Sequence, residues 1–209
     1  VSPAPPTRVL GIDPGSRVTG WGVVERREGQ LKLVAHGTLR LGDGAVSARL
    51  ALIHKGIAEL VSEHQPGAFA IEEAFLGRNV RSMMRLAEAR AVSILAAELN
   101  TVQIHEVPPS LVKKSVTGHG RASKDAVRAA VMQLLGWDPD SAAPAYDASD
   151  ALAIGLCVLL RLGAPALGGL APGALGAKGV GRRSRGRKRW TAADLAKHQA
   201  WASNPQEGS

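Results

Sequence analysis

Several things are scarce in this chain, and each scarcity excludes something. Its single cysteine, Cys157, permits no internal disulfide framework and suits a reducing compartment. Cys157 sits in the apolar run LAIGLCVLL, where a small buried thiol is the expected role. Aromatic residues make up only 3% of the chain, so a core has to be built from Val, Leu, Ile and Ala. No uninterrupted apolar run reaches the roughly 18 residues that suggest a membrane span, so no membrane association is expected. The opening VSPAPPTR lacks the charged-then-apolar order of a secretory signal, so export is not expected. The six histidines are scattered, and no Cys/His spacing suits zinc.

What is present is a moderately apolar, basic chain. Of its 209 residues 45% are apolar, too many for a wholly disordered protein. The formal charge of +8 is unevenly distributed. Residues 164–209 hold eight basic and two acidic residues, a net +6, which leaves residues 1–163 near neutral at +2. Three organisational segments follow: a flexible N-terminus over 1–7, one globular domain over 8–163, and a tail over 164–209. The tail begins with a Gly/Ala/Leu/Pro stretch lacking strand or helix periodicity, and a basic run RRSRGRKR over Arg182–Arg189 follows. Trp190 and Trp201 lie beyond it, and Thr191 and Asp194 have capping-box-like spacing for a short helix.

Within the globular part, the pattern predicts strands over Val9–Asp13, Gly20–Glu25 and Leu31–Leu41, with a turn near Arg27–Gln30. Short connections make this trio an antiparallel meander. The recurrence of Val46, Leu50, Ile53, Ile57, Leu60 and Val61 predicts a helix over Ala45–His64. A buried-type strand over Ala68–Glu72, a helix over Arg81–Leu99 and a fifth strand over Thr101–Val107 come next. Helical patterns then cover Ser110–Val116, Ser123–Leu135 and Asp147–Leu162. The expected fold class is α/β: a mixed five-stranded sheet, an antiparallel meander plus parallel strands, with helices on both faces.

The chemistry lies in where acids interrupt apolar segments. Asp13 ends the first strand and Glu72 ends AFAIE, with Glu73 beside it. Asp147 and Asp150, spaced i, i+3, share one face of a helical first turn whose continuation, ALAIGLCVLLRL, is apolar enough to be buried. Four acids from three distant segments would then meet at the carboxyl edge of one sheet. Such a cluster of like charges needs a cation. Hard oxygen ligands suit Mg²⁺, and two such ions held about 3.5–4 Å apart serve phosphodiester chemistry. Each acid also has a plainer role: Asp13 before Pro14-Gly15 as a turn former, Glu72 as a solvated strand end, and Asp147 and Asp150 as acids favoured by a helix N-terminus.

Four blocks in order, GIDPGSRVTGWGVV, AIEEAFLGRNVRSMMRLAEARAV, KKSVTGHGRASKDAV and AYDASDALAIG, closely resemble the RuvC family of bacterial Holliday junction resolvases. The resemblance runs from about Arg8 to Leu162, roughly three quarters of the chain. It implies a ribonuclease H-like fold and a cytoplasmic bacterial endonuclease. It implies a homodimer that nicks four-way DNA junctions symmetrically in recombination and repair, using Mg²⁺ or Mn²⁺ with two ions per site, and that works with a RuvA–RuvB branch-migration complex. The implied catalytic and metal-binding acids are Asp13, Glu72, Asp147 and Asp150, with some family members carrying histidine at the position of Asp147. Lys113 and Lys124 match basic residues near the scissile phosphate, Lys124 serving catalysis, and Phe75 matches a junction-stacking aromatic. Arg78, Arg81 and Arg85 are spaced to follow phosphates. The apolar positions Met83, Met84, Ala87, Ala91, Ile94 and Leu95 are divided between core and a dimer contact. Two other classes stay open: an actin-like ATPase or sugar kinase, which needs a second phosphate loop and normally a longer chain, and a nucleic-acid-binding module without catalysis. The basic tail has no counterpart in the resemblance and is expected to strengthen DNA binding in a salt-dependent way.

Overall fold

The computed structural model describes residues 7–73 and 80–162. The elements are β1 (Thr7–Asp13), β2 (Val18–Arg27), β3 (Gln30–Arg40), α1 (Val46–His64), β4 (Ala68–Glu72), α2 (Val80–Leu99), β5 (Gln103–Val107), α3 (Pro109–Thr117), α4 (Lys124–Leu134) and α5 (Tyr146–Leu162). The strands form one sheet in the order β3-β2-β1-β4-β5. β1–β2 and β2–β3 pair antiparallel, and β1–β4 and β4–β5 pair parallel, which is the mixed sheet expected.

Local chemistry explains the elements. The β2–β3 hairpin turns through Glu28 and Gly29, both at positive φ (54° and 80°), as a two-residue primed turn requires. Ser123 caps α4, its Oγ accepting from the Ala126 N–H at 3.2 Å, and Asp125 favours the same end of the helix. Pro109 occupies the first turn of α3, and Gly118 closes that helix in the left-handed region. β5 starts at Gln103 rather than Thr101, because Thr101 sits at φ 58° in a turn that no strand continues through. β1 begins at Thr7, one residue inside the segment expected to be flexible. The tail over 164–209 lies outside the described residues.

Alternation along the strands divides the core in two. Leu10, Ile12, Val23, Phe69 and Ile71 face α1 and α2, and Val9, Val24, Ala68 and Ala70 face α3, α4 and α5. α5 is the central buried helix, with eleven buried residues from Ala148 to Leu159. In α2, however, the core positions are Ala89, Ser93, Ala96 and Ala97. Met84 and Leu95, assigned from sequence to a partly core-facing stripe, are 59% and 50% exposed. Alanine faces the core here because α2 packs closely on α1 and the sheet; Val92 and Ile94 pack at the margin of that core, while Met84 and Leu95 point away.

Glycines let α5 lie directly on the sheet. A Cβ at Gly11 would strike the Ala151 carbonyl oxygen and the backbone of Gly155. A Cβ at Gly20 would overlap the Asp147 carbonyl oxygen. Gly20 is the β2 partner of Asp13, so this contact seats the first turn of α5 beside the end of β1. Gly20→Ala should therefore destabilise the protein by about 1–3 kcal/mol through overpacking. A urea unfolding midpoint matching that of the parent would show that α5 does not need this approach.

Candidate active site

Strand register places the first two acids side by side. Ile12 pairs with Ile71 across parallel β1 and β4, so Asp13 and Glu72 are the next residues on adjacent strands. Both continue the alternation that faces α5, through Val9 and Gly11 on one strand and Ala68 and Ala70 on the other. Neighbouring strands are about 4.8 Å apart, so the two carboxylates emerge at one edge. Asp147 and Asp150 come to that edge from the first turn of α5, where helical backbone N–H groups favour anions. The buried Thr19 hydroxyl donates to the Gly15 carbonyl at 3.2 Å, shaping the turn that follows Asp13.

The four acids are electrostatic neighbours. Asp13 is pushed up from 3.8 to about 7, first by burial and then by repulsion from Asp150, Glu72 and Asp147. Glu72 is raised too, by burial and then by Asp150, with Lys113 and Lys124 opposing. Lys124, the first residue of α4, places Nζ 3.1 Å from Asp150 Oδ2. That hydrogen bond and the charge of Asp150, with Asp13 and Asp147 adding, raise its pKa. Lys113 comes from α3, half-buried, near enough to Glu72 to act on its ionisation. Among the described residues, no three of the His, Cys, Asp or Glu side chains are already closed around one point in ligand geometry. The acids are repelling neighbours, and the donor set is all carboxylate oxygen, which suits a hard dication and not zinc.

A family profile described as Crossover junction endodeoxyribonuclease RuvC matches residues 9–158. The chain belongs to the RuvC family. A RuvC from Pseudomonas putida is 42% identical over 151 residues, covering 72% of this chain and 85% of the relative. One from Alkalilimnicola ehrlichii is 42% identical over 152 residues, covering 73% and 90%. Among solved structures, T. thermophilus RuvC in complex with Holliday junction substrate superposes with a TM-score of 0.67 at 27% identity, covering 74% of this chain and 96% of that one. The yeast mitochondrial Holliday junction resolvase Ydc2 shares the fold, with a TM-score of 0.52 at 14% identity, covering 76% and 82%.

Within this RuvC-family fold, Asp13, Glu72, Asp147, Asp150, Lys113 and Lys124 come together as one cluster. Arg81 is an exposed residue at the start of α2. Phe75 and Arg78 lie outside the described residues. The Arg85 guanidinium pairs with Glu88 at 3.0 Å in this structure, a partly exposed i, i+3 contact. Sequence reasoning missed two supports. Arg90 Nε donates to the Glu72 carbonyl at 3.0 Å, and its guanidinium also pairs with Glu106, tying α2 and β5 to the carboxyl end of β4. Tyr146 joins the starts of α4 and α5. A mid-helix arginine and a tyrosine beside an acid carry no spacing signal that sets them apart from a solvated surface. A cleft of about 990 Å³ between β3 and the segment after α4, lined by His36 and Trp137 among others, contains none of the acids.

The Asp13 shift gives a stability prediction. Between its ordinary value of 3.8 and about 7, the unfolded chain has lost the proton and the folded chain keeps it. Stability linked to Asp13 is therefore full below about pH 4 and lost as pH rises towards 7. In the presence of a chelator, Asp13→Asn should raise the urea midpoint at pH 8, and the variant and parent should converge near pH 4. Parallel pH profiles would show that this carboxyl is not crowded.

Proposed function

We propose that this chain is a structure-specific endonuclease that resolves four-way DNA junctions by paired symmetric nicks in recombination and repair. The observation that carries the reading is the convergence of Asp13, Glu72, Asp147 and Asp150 with Lys113 and Lys124 at one open sheet edge, in a chain of the RuvC family. A module that only bound DNA would not set four carboxylates against a phosphate, because they repel it unless a cation intervenes. An ATPase reading has no second phosphate loop to stand on.

Asp13, Glu72, Asp147 and Asp150 would hold Mg²⁺ or Mn²⁺, two ions per site. When bound, such ions supply an ionised water and neutralise charge on the departing oxygen. The remaining work belongs to the protein. Burial of Asp13 and Glu72 keeps the carboxylates poorly solvated, so they gain most when a cation arrives. The ammonium of Lys124, now on Asp150, lies where it can turn to a phosphoryl oxygen as negative charge grows there. Lys113 offers a second positive charge from the Glu72 side. Hydrolysis adds water across the P–O3′ bond, the phosphate staying on the 5′ end and the 3′ oxygen taking a proton. The ends formed are directly religatable.

The α2 surface supports a homodimer. Of the nine large apolar side chains exposed among the described residues, five are on α2: Val80, Met84, Leu86, Leu95 and Leu99. Val80, Met84 and Leu95, with the exposed Ala87 and Ala91, line one helical stripe. A second copy covering that stripe would give two sites related by a two-fold axis, one for each of two opposed strands. Arg81 flanks it as a phosphate contact, with Arg78 and the stacking residue Phe75 assigned from the family pattern. The basic run Arg182–Arg189 would add salt-dependent affinity by its charge alone. Cooperation with a RuvA–RuvB motor follows from family membership.

Asp13→Asn should bind a synthetic four-way junction with near-parental affinity in a gel-shift assay yet fail to nick it with Mg²⁺. Retained cleavage would defeat the mechanism. Leu95→Glu should move the protein towards a monomer in sedimentation velocity and uncouple the two nicks. An unchanged dimer would place the interface elsewhere.

A further inference from the structure

Lys124 reaches Asp150 on a long side chain that is 72% exposed, so something must hold its backbone in place for the contact to persist. Ser123 caps α4 but says nothing about where α4 sits on α5. Val127, three residues on from Lys124, and Val131 bury against the core, while Lys124, Asp125 and Ala126 are themselves exposed. Tyr146 is the first residue of α5 and directly precedes Asp147. Its hydroxyl donates to Asp125 Oδ1 at 2.6 Å, and Asp125 directly follows Lys124. One turn on, the Arg128 guanidinium lies 4.6 Å from the centre of the Tyr146 ring. The tyrosine is thus gripped at its tip by one α4 residue and on its face by another. These two contacts of different direction add to the core packing of Val127 and Val131 in orienting the two helix starts.

We propose that Tyr146 is a positioning residue that, through Asp125 and Arg128, aligns the start of α4 so that Lys124 meets the acid cluster. The inference rests on the reading of Lys124 given above. Tyr146 does not touch the four acids through its hydroxyl; it acts by fixing the backbone that carries Lys124. A hydrogen bond to a carboxylate and a cation–π contact are each modest at a surface, so the effect is on alignment and not on whether the protein folds.

The test is a set of single-turnover cleavage rates at saturating four-way junction, with junction affinity and thermal midpoint measured alongside. Tyr146→Phe keeps the ring and removes the donor. It should slow cleavage of the bound junction by about three- to tenfold, the scale of one such hydrogen bond, with affinity and midpoint unchanged. Asp125→Ala should reproduce that loss, and the pair of changes should cost no more than either alone. Lys124→Ala should slow cleavage further, and adding Tyr146→Phe to it should change nothing. A Tyr146→Phe loss of equal size in the Lys124→Ala background overturns the positioning role, as does weakened junction affinity, which would make Tyr146 a DNA contact. A silent Tyr146→Phe beside an impaired Lys124→Ala overturns this inference alone. An unimpaired Lys124→Ala removes the reading of Lys124 and this inference with it.

Discussion

Like-charge crowding at the carboxyl edge of the sheet is the constraint around which the rest of this protein is arranged. Asp13 and Glu72 leave adjacent parallel strands side by side, and Asp147 and Asp150 arrive from the helix laid over them. Burial and then repulsion from Asp150, Glu72 and Asp147 make Asp13 harder to ionise, and burial and then Asp150 do the same to Glu72. The fold tolerates this because its stability is earned elsewhere, in two apolar layers that the acids do not enter. Lysines at the rim offset part of the repulsion without removing it. A site kept in that state favours whatever cation and phosphate bring it back to balance.

Backbone proximity is what permits the crowding. α5 carries two of the acids and can bring them to the strand ends only because Gly11, Gly20 and Gly155 remove side chains from its path. Arg90 then anchors the end of β4 from the other face of the sheet, through the Glu72 carbonyl and Glu106. The acids thus sit on two central strands and the buried helix, whereas the lysines sit on shorter helices that pack on the same core through Val112, Val116, Val127 and Val131, with Tyr146 and Asp125 adding a surface contact. That division suits a site whose acidic part must keep its geometry while its basic part follows a substrate.

Much of this was legible in the amino-acid order. Short apolar, β-rich runs in VLGID and AFAIE located two strands with an acid at the end of each, and the i, i+3 spacing of Asp147 and Asp150 put both on one turn. Four ordered blocks pointed to the RuvC family, which the family profile and the curated relatives bear out. The α2 stripe was less legible. Of its larger apolar residues Ile94 does pack inward, whereas Met84 and Leu95 are exposed, and the closely packed core side is lined by Ala89, Ala96 and Ala97, whose small size periodicity weights too lightly. The ion pair of Arg85 with Glu88 one turn away was likewise not singled out by spacing.

The sequence by itself determined the sheet order's ingredients, the identity of the clustered acids and the hard, oxygen-only character of the donor set, because period, punctuation and residue type are local properties. Only the tertiary structure decided that Asp13 and Glu72 are register neighbours, that Gly20 seats α5 beside them, and that Arg90 and Tyr146 brace the two sides. Those relations join residues far apart in the chain. They follow from which backbones can approach closely enough to touch, a question of packing in three dimensions that no stretch of residues answers alone.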